Sequence, residues 1–316
     1  YYYQNFCNVE ISEQARQTQM PEKLVAVGET VTRETTLKTR YAFNYCTVDY
    51  TFAFYSAEDY QREMDWCALS GVNLVLDLAG LEAVWVKFLM NFGYSFDEAK
   101  VWLTGPGYYA WQFMSNMERY GGAISDQWLI KRVELARNQM RWNTSMGIQN
   151  VLQGYSGMLP GNFNDYQPDV ELLEQGQWNG LDRPPMMRTD TETFRQYAAL
   201  FFEAQEYIFG DNSHYYGFDP FHEGGIRPSD LSDEVIAQCS IDALLAHDPD
   251  GVWVLQGWGG NPTDGLLRGL GDNREDHALV LDLTALQGPS YTSRNNFRGT
   301  PWVWCLLENY GDNPAM

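Results

Sequence analysis

The stretch "VWVLQGW" at 252–258 is apolar at nearly every position. A strand with one wet face alternates apolar and polar side chains. An unbroken apolar run belongs instead to a strand covered on both faces, as in a parallel sheet. The same texture recurs on either side of it. It is found in "AFNYCT" (42–47), "GVNLVLDLAG" (71–80), "GIQNVLQG" (147–154), "HYYGFDP" (214–220), "HALVLDL" (277–283) and "TPWVWCLLENY" (300–310).

Helical patterns fill the gaps. Ser56 is placed to cap a helix through "AEDYQREMDWCALS", with Gly71 to close it. Ser95 and Glu98 make a capping box, and 126–146 reads as a long amphipathic helix ending at Gly147. Thr189 with Glu192 is expected to open a further helix running to Gly210, and 233–247 forms another. Strand and helix in alternation define an α/β chain. Seven strand runs favour a (β/α)8 TIM-type barrel over an open nucleotide-binding sheet, since no G-x-G-x-x-G or Walker loop is present. Such a barrel lacks one strand, so it is expected to be truncated at its C-terminal side. Residues 41–316 are read as the catalytic barrel, and 1–40 as the end of a small N-terminal domain and its lead-in.

Composition narrows the function. Net charge is −21 over 316 residues, which argues against nucleic acid and anionic membrane surfaces as partners. No run of 18 apolar residues offers a membrane span. The five Cys form no CxxC pair, and the four His are scattered, so neither a metal nor another cofactor is expected. Aromatics reach 15%, with 11 Trp and 20 Tyr, and aromatic walls suit sugar rings among other flat ligands.

In a barrel of this kind the chemistry sits at the C-terminal ends of the strands. Those ends carry Asn44 and Cys46, Asp77 with Glu82 just beyond, "QGYSG", Glu223, Gln256 with Trp258, Asp282, and Glu308 with Tyr310. Carboxylates, amides and Trp predominate there. No G-x-S-x-G elbow is present. Paired carboxylates between Trp walls fit glycoside hydrolysis, although strand-end carboxylates also serve other reactions.

The motifs "FNYCT", "MDWCALSGVNLVL", "LTGPGYYAW", "YYGFDPFHEGG", "VWVLQGW", "LVLDL" and "WVWCLLENYGDN" together resemble the alpha-N-acetylglucosaminidases of glycoside hydrolase family 89. That family includes a lysosomal heparan-degrading enzyme and secreted bacterial relatives. The resemblance runs the length of the chain in the same order. It implies a (β/α)8 barrel, a retaining mechanism with two catalytic Glu, and removal of terminal alpha-linked N-acetylglucosamine from heparan-type or mucin-type chains. It also implies an exported protein, either lysosomal or secreted or periplasmic in bacteria.

Residue by residue, the resemblance places Glu223 on the acid/base, with Tyr215, Phe218 and Phe221 available to desolvate it. His222 falls where the lysosomal relative has Asn. Asn44 and Cys46 match an N-x-C pair on the pocket floor. Trp111, Met114, Trp178, Trp258, Leu283, Leu307 and Tyr310 match pocket-lining positions. Asp219 reads as a deep hydrogen-bond anchor. The nucleophile is expected beyond Met316, so this chain alone is expected to be inactive. Three departures stand out: Asp77 at the rim, Glu308, and the acidic loop between 160 and 180. They keep open a non-catalytic sugar-binding relative, or a barrel glycosidase of different sugar preference.

Overall fold

The computed structural model describes residues 21–210, 213–286 and 288–307, with residue 7, residues 9–11 and residues 18–19. Among them, seven parallel strands wrap into a nearly closed barrel. They are β1 (Tyr41–Ala42), β2 (Leu74–Leu76), β3 (Gln149–Gln153), β4 (Tyr215–Gly217), β5 (Val252–Gly257), β6 (Ala278–Asp282) and β7 (Trp302–Trp304). Sheet order is chain order, and every neighbouring pair is parallel. The edges β1 and β7 face each other across a cleft of about 480 Å³, lined by Phe43 on one side and Cys305 on the other.

The helices are α1 (Tyr45–Tyr50), α2 (Ala57–Leu69), α3 (Leu81–Met90), α4 (Phe96–Trp102), α5 (Tyr109–Phe113), α6 (Asp126–Met146), α7 (Glu192–Phe209), α8 (Asp233–His247), α9 (Asp264–Gly269) and α10 (Ser290–Ser293). The unbroken apolar runs are explained by what covers them. Leu74, Val75 and Leu76 are all buried, as are all five residues of β6. Outside the sheet, Trp85 and Phe88 of α3 pack with Tyr155 and with Phe201 of α7. At the end of β4, Phe218 stacks on Trp253 of β5 at 4.5 Å. That ring occupies the space beside Gly154, where a Cβ would meet it at 2.1 Å.

Capping follows the expected chemistry at Ser56 with Asp59 and at Ser95 with Glu98, both as complete capping boxes. Two local expectations are corrected. The first strand stops at Ala42, because Phe43 turns into the left-handed region at φ 75° and Asn44 then caps α1. Asn44 and Cys46 therefore stand on a cap and the helix behind it. At α7 the cap is Thr191, whose hydroxyl accepts from the Phe194 amide, and not Thr189, which is fully buried. An N-cap side chain reaches the amide three residues ahead, and only Thr191 has the correct spacing from the first helical turn.

Candidate active site

The loop after β4 carries Glu223 into a cavity of about 250 Å³ at the C-terminal ends of the strands. The turn is tight. Phe221 and Glu223 both take positive φ, at 57° and 44°, and a Cβ on Gly225 would meet the Phe221 backbone at 2.7 Å. Glycine at 225 is therefore required by space. Glu223 is exposed, and each carboxylate oxygen has its own neutral donor. Trp258 Nε1 donates to Oε1 at 2.9 Å, and Asn116 Nδ2 donates to Oε2 at 2.9 Å. Of Tyr215, Phe218 and Phe221, expected to desolvate it, none lines the cavity, and Phe218 is stacked on Trp253.

The structure gathers Asn44, Cys46, Trp111, Met114, Trp178, His222, Glu223, Trp258, Leu283 and Leu307 around this one cavity. Tyr310 and Glu308 lie outside the described residues. Tyr50, Asn116, Asn179 and Gln256 join the lining.

The floor is built from α1. The Asn44 side-chain oxygen accepts from the Thr47 amide and hydroxyl, at 2.9 and 3.1 Å, which leaves its amide nitrogen for the cavity. Burial, reinforced by Asp49, pushes the Cys46 thiol up, so it stays protonated and acts by packing. Asp49 is itself buried and accepts from the amides of Ala110 and Trp111, at 3.1 and 3.3 Å. It thereby fixes the start of α5 and the Trp111 wall. Burial raises its carboxyl to about 7, against those two amide bonds.

The opposite wall is a small hairpin that was not expected. Gln177–Trp178 pairs antiparallel with Leu181–Asp182 through Asn179 and Gly180, both at positive φ. Asn-Gly with both residues left-handed is the preferred tight turn of a two-residue hairpin. That dipeptide was the available signal, but its strands are only two residues long. Trp178 meets Trp111 at 6.0 Å between ring centroids, and Trp111 also packs on Tyr50 at 5.4 Å. The acidic 160–180 loop is tied down by Gln175, whose amide both donates to and accepts from the Ile226 backbone at 2.7 Å.

Below Glu223 the polar layer is buried. Asp219 is buried and accepts from Gln256 Nε2 at 2.8 Å, and burial raises its carboxyl to about 7. His222 is buried, with its Nδ1 4.0 Å from Asp219, and that nitrogen makes no hydrogen bond among the described residues. Burial lowers its imidazole to about 4 despite the pull of Glu223, so the ring is neutral near pH 7.

Other carboxylates expected at the rim lie elsewhere. Asp77 is buried and accepts from the Ala79 amide at 3.1 Å. Glu82 is buried on α3 beside Arg132 of α6. Asp282 accepts from Ser290 and Tyr291 amides at the start of α10. Among the described residues, Glu223 is the one carboxylate lining the cavity, and no group of three or more His, Cys, Asp or Glu is arranged to hold a metal.

Comparison with known proteins places this geometry. The chain is 31% identical to human alpha-N-acetylglucosaminidase, across 100% of this chain and 44% of that protein. It superposes with a TM-score of 0.92 on the family 89 glycoside hydrolase from Clostridium perfringens in complex with PUGNAc. That match is 41% identical and covers 98% of this chain and 36% of the other. A doubly Glu-to-Gln-substituted form of a Clostridium perfringens enzyme, in complex with its substrate GlcNAc-alpha-1,4-galactose, matches with the same TM-score at 40% identity, over 98% and 35%. The chain thus spans less than half the length of these relatives. The family description "Alpha-N-acetylglucosaminidase tim-barrel domain" matches residues 40–316, which include every strand of the barrel and the whole cavity wall, and the chain belongs to that alpha-N-acetylglucosaminidase family.

Proposed function

We propose that this chain supplies the acid/base and the sugar pocket of a retaining glycosidase that removes terminal alpha-linked N-acetylglucosamine from glycans. One observation carries the reading. Among the described residues a single carboxyl, that of Glu223, reaches a Trp-walled cavity of about 250 Å³, where two neutral donors hold it. That volume suits one sugar ring.

In this reading Trp111 and Trp178 stack on the sugar, and the Asn44 amide and the His222 ring meet its polar groups. Glu223 hands its proton to the leaving oxygen. It later takes one from the attacking water. The second carboxylate of a retaining pair stands about 5–5.5 Å away across the anomeric carbon. It is not among the described cavity residues. Residues 1–40 fit the end of a preceding small domain, since 21–39 carry no helix or strand and the strands Glu10–Ile11 and Thr18–Gln19 pair outside the barrel sheet. Among the described residues no helix is long and apolar enough to cross a membrane. We place the protein in an exported compartment, with a glycan and no nucleic acid as its partner.

The test is an assay of the full-length gene product on aryl alpha-N-acetylglucosaminide. Release of the aryl group is expected. No release from it, with good release from another aryl glycoside, would refute the sugar assignment.

A further inference from the structure

Arg183 follows directly on the Trp178 hairpin and is only 6% exposed. Its guanidinium donates to four acceptors. Nε reaches the Ser115 carbonyl at 3.1 Å, one terminal nitrogen reaches the Glu223 carbonyl at 3.0 Å, and the other reaches Asn116 Oδ1 at 3.2 Å and the His222 carbonyl. None of these is a carboxylate. An arginine buried without a carboxylate in hydrogen-bond contact is costly, so its presence needs a reason.

The acceptors supply one. Three of them belong to the backbone of two loops, and both loops are strained. Ser115 has φ 64° and Glu223 has φ 44°, neither being glycine. Such conformations persist only where their surroundings over-determine them. The fourth acceptor settles an orientation. With Asn116 Oδ1 taken by Arg183, its Nδ2 must face Glu223 Oε2, where it donates at 2.9 Å. Asn116 is itself fully buried.

We propose that Arg183 and Asn116 are the positioning pair of the acid/base. Arg183 fixes the two loops and the Asn116 amide, and Asn116 fixes the Glu223 carboxyl. Arg183 is not among the residues lining the cavity, and the Asn116 amide that reaches it is engaged on Glu223, so their contribution falls on proton transfer more than on sugar binding. This inference rests on the assignment of Glu223 in the proposed function.

The experiment uses the full-length gene product and two alpha-N-acetylglucosaminides with one sugar and different leaving groups. The alkyl leaving group needs a proton, and the dinitrophenyl group does not. Arg183→Ala should lower kcat/KM on the alkyl glycoside by about 100-fold, the scale of a misplaced catalytic group. It should lower kcat/KM, which reports the first step, much less on the dinitrophenyl glycoside, and leave binding of N-acetylglucosamine nearly unchanged. Added guanidinium should restore part of the loss, whereas Arg183→Lys, which lacks the planar fork, should not. Should Arg183→Ala fail to fold, Asn116→Asp decides. It keeps the shape but replaces the donor with an acceptor, and the same leaving-group-selective loss is expected. Equal losses on both substrates, or no loss, would overturn the inference while leaving the function intact. An unsubstituted protein that releases neither leaving group would overturn the function and this inference together.

Discussion

Arg132 and Glu82 lie in the layer between barrel and helices, at 3% and 1% exposure, with Arg132 Nε 3.5 Å from Glu82 Oε1. Arg183 and Glu223 are the same two residue types at the barrel mouth, and they meet differently. Arg183 spends its donors on carbonyls and one amide, while the Glu223 carboxylate is held by neutral Trp258 and Asn116. In the layer Arg132 faces the Tyr60, Tyr109 and Trp128 rings, donates to the Tyr109 hydroxyl at 2.8 Å and lies beside the Glu82 carboxylate, which also accepts from Trp128 Nε1 at 3.4 Å. The Glu82 carboxylate is sealed away from any ligand, whereas the Glu223 carboxyl is oriented by neutral donors and keeps an open side to the cavity. The contrast separates a Glu that holds the fold from a Glu placed to act in the proposed function.

Three measurements probe that contrast. The largest effect is expected at the mouth. Glu223→Gln should lower turnover of a natural-type glycoside by roughly 100- to 10,000-fold, with little change in Tm. An activated aryl substrate should lose less in its first step, and azide should rescue turnover, because a small anion needs no general base. Equal modest losses on both substrates, without rescue, would put Glu223 in the class of Glu82. Next, Glu82→Gln should destabilise the fold by about 3 kcal/mol, because it strands the Arg132 charge. Denaturant unfolding would measure this. A stability unchanged from the parent would remove the distinction between the two sites.

The smallest effect concerns pH. Burial raises the carboxyls of Asp49 and Asp219 to about 7 and that of Asp77 to about 6. The folded protein then binds more protons than the unfolded chain between the ordinary carboxylate range and those values. Their contribution is complete below the unfolded pKa and is lost as pH rises through about 6 to 7. His222, lowered to about 4, works the other way below its ordinary value near 6.5. The slope from pH 7.5 to 6.5 should thus be negative, at most about 1.4 kcal/mol per unit for each group. Asp219→Asn should flatten it. A stability that rises with pH over that interval would show these carboxyls to be ionised and satisfied.

The regular frame was legible because its signals are local. Capping boxes at Ser56 and Ser95 and the apolar runs of β2, β5 and β6 each carry their meaning within a few residues. The Glu223 loop was legible through a long motif. Asn116 and Arg183 were not, since a polar residue in an irregular loop acquires its role from partners 107 and 67 positions away. Asp77 and Glu82 were misplaced for a related reason. Position after a strand brings a residue near the mouth, but only the neighbouring helices decide whether its side chain turns up to the cavity or back into the layer. The first strand was drawn too long because "AFNYCT" is apolar enough for a strand, while the φ of Phe43 and the cap at Asn44 end it early.

The Trp178 wall stands apart from the barrel in one respect. It is borne by a hairpin of two-residue strands, tied at its base by Arg183 and beside it by Gln175, and no barrel strand runs through it. Lengthening or exchanging the segment between those two anchors costs little closure entropy and disturbs no ladder of the barrel. The aperture of the cavity is accordingly an adjustable part. In the proposed function, descendants of this fold have a place to trade one outer glycan for another while the Glu223 loop and the Asn44–Cys46 floor are inherited unchanged.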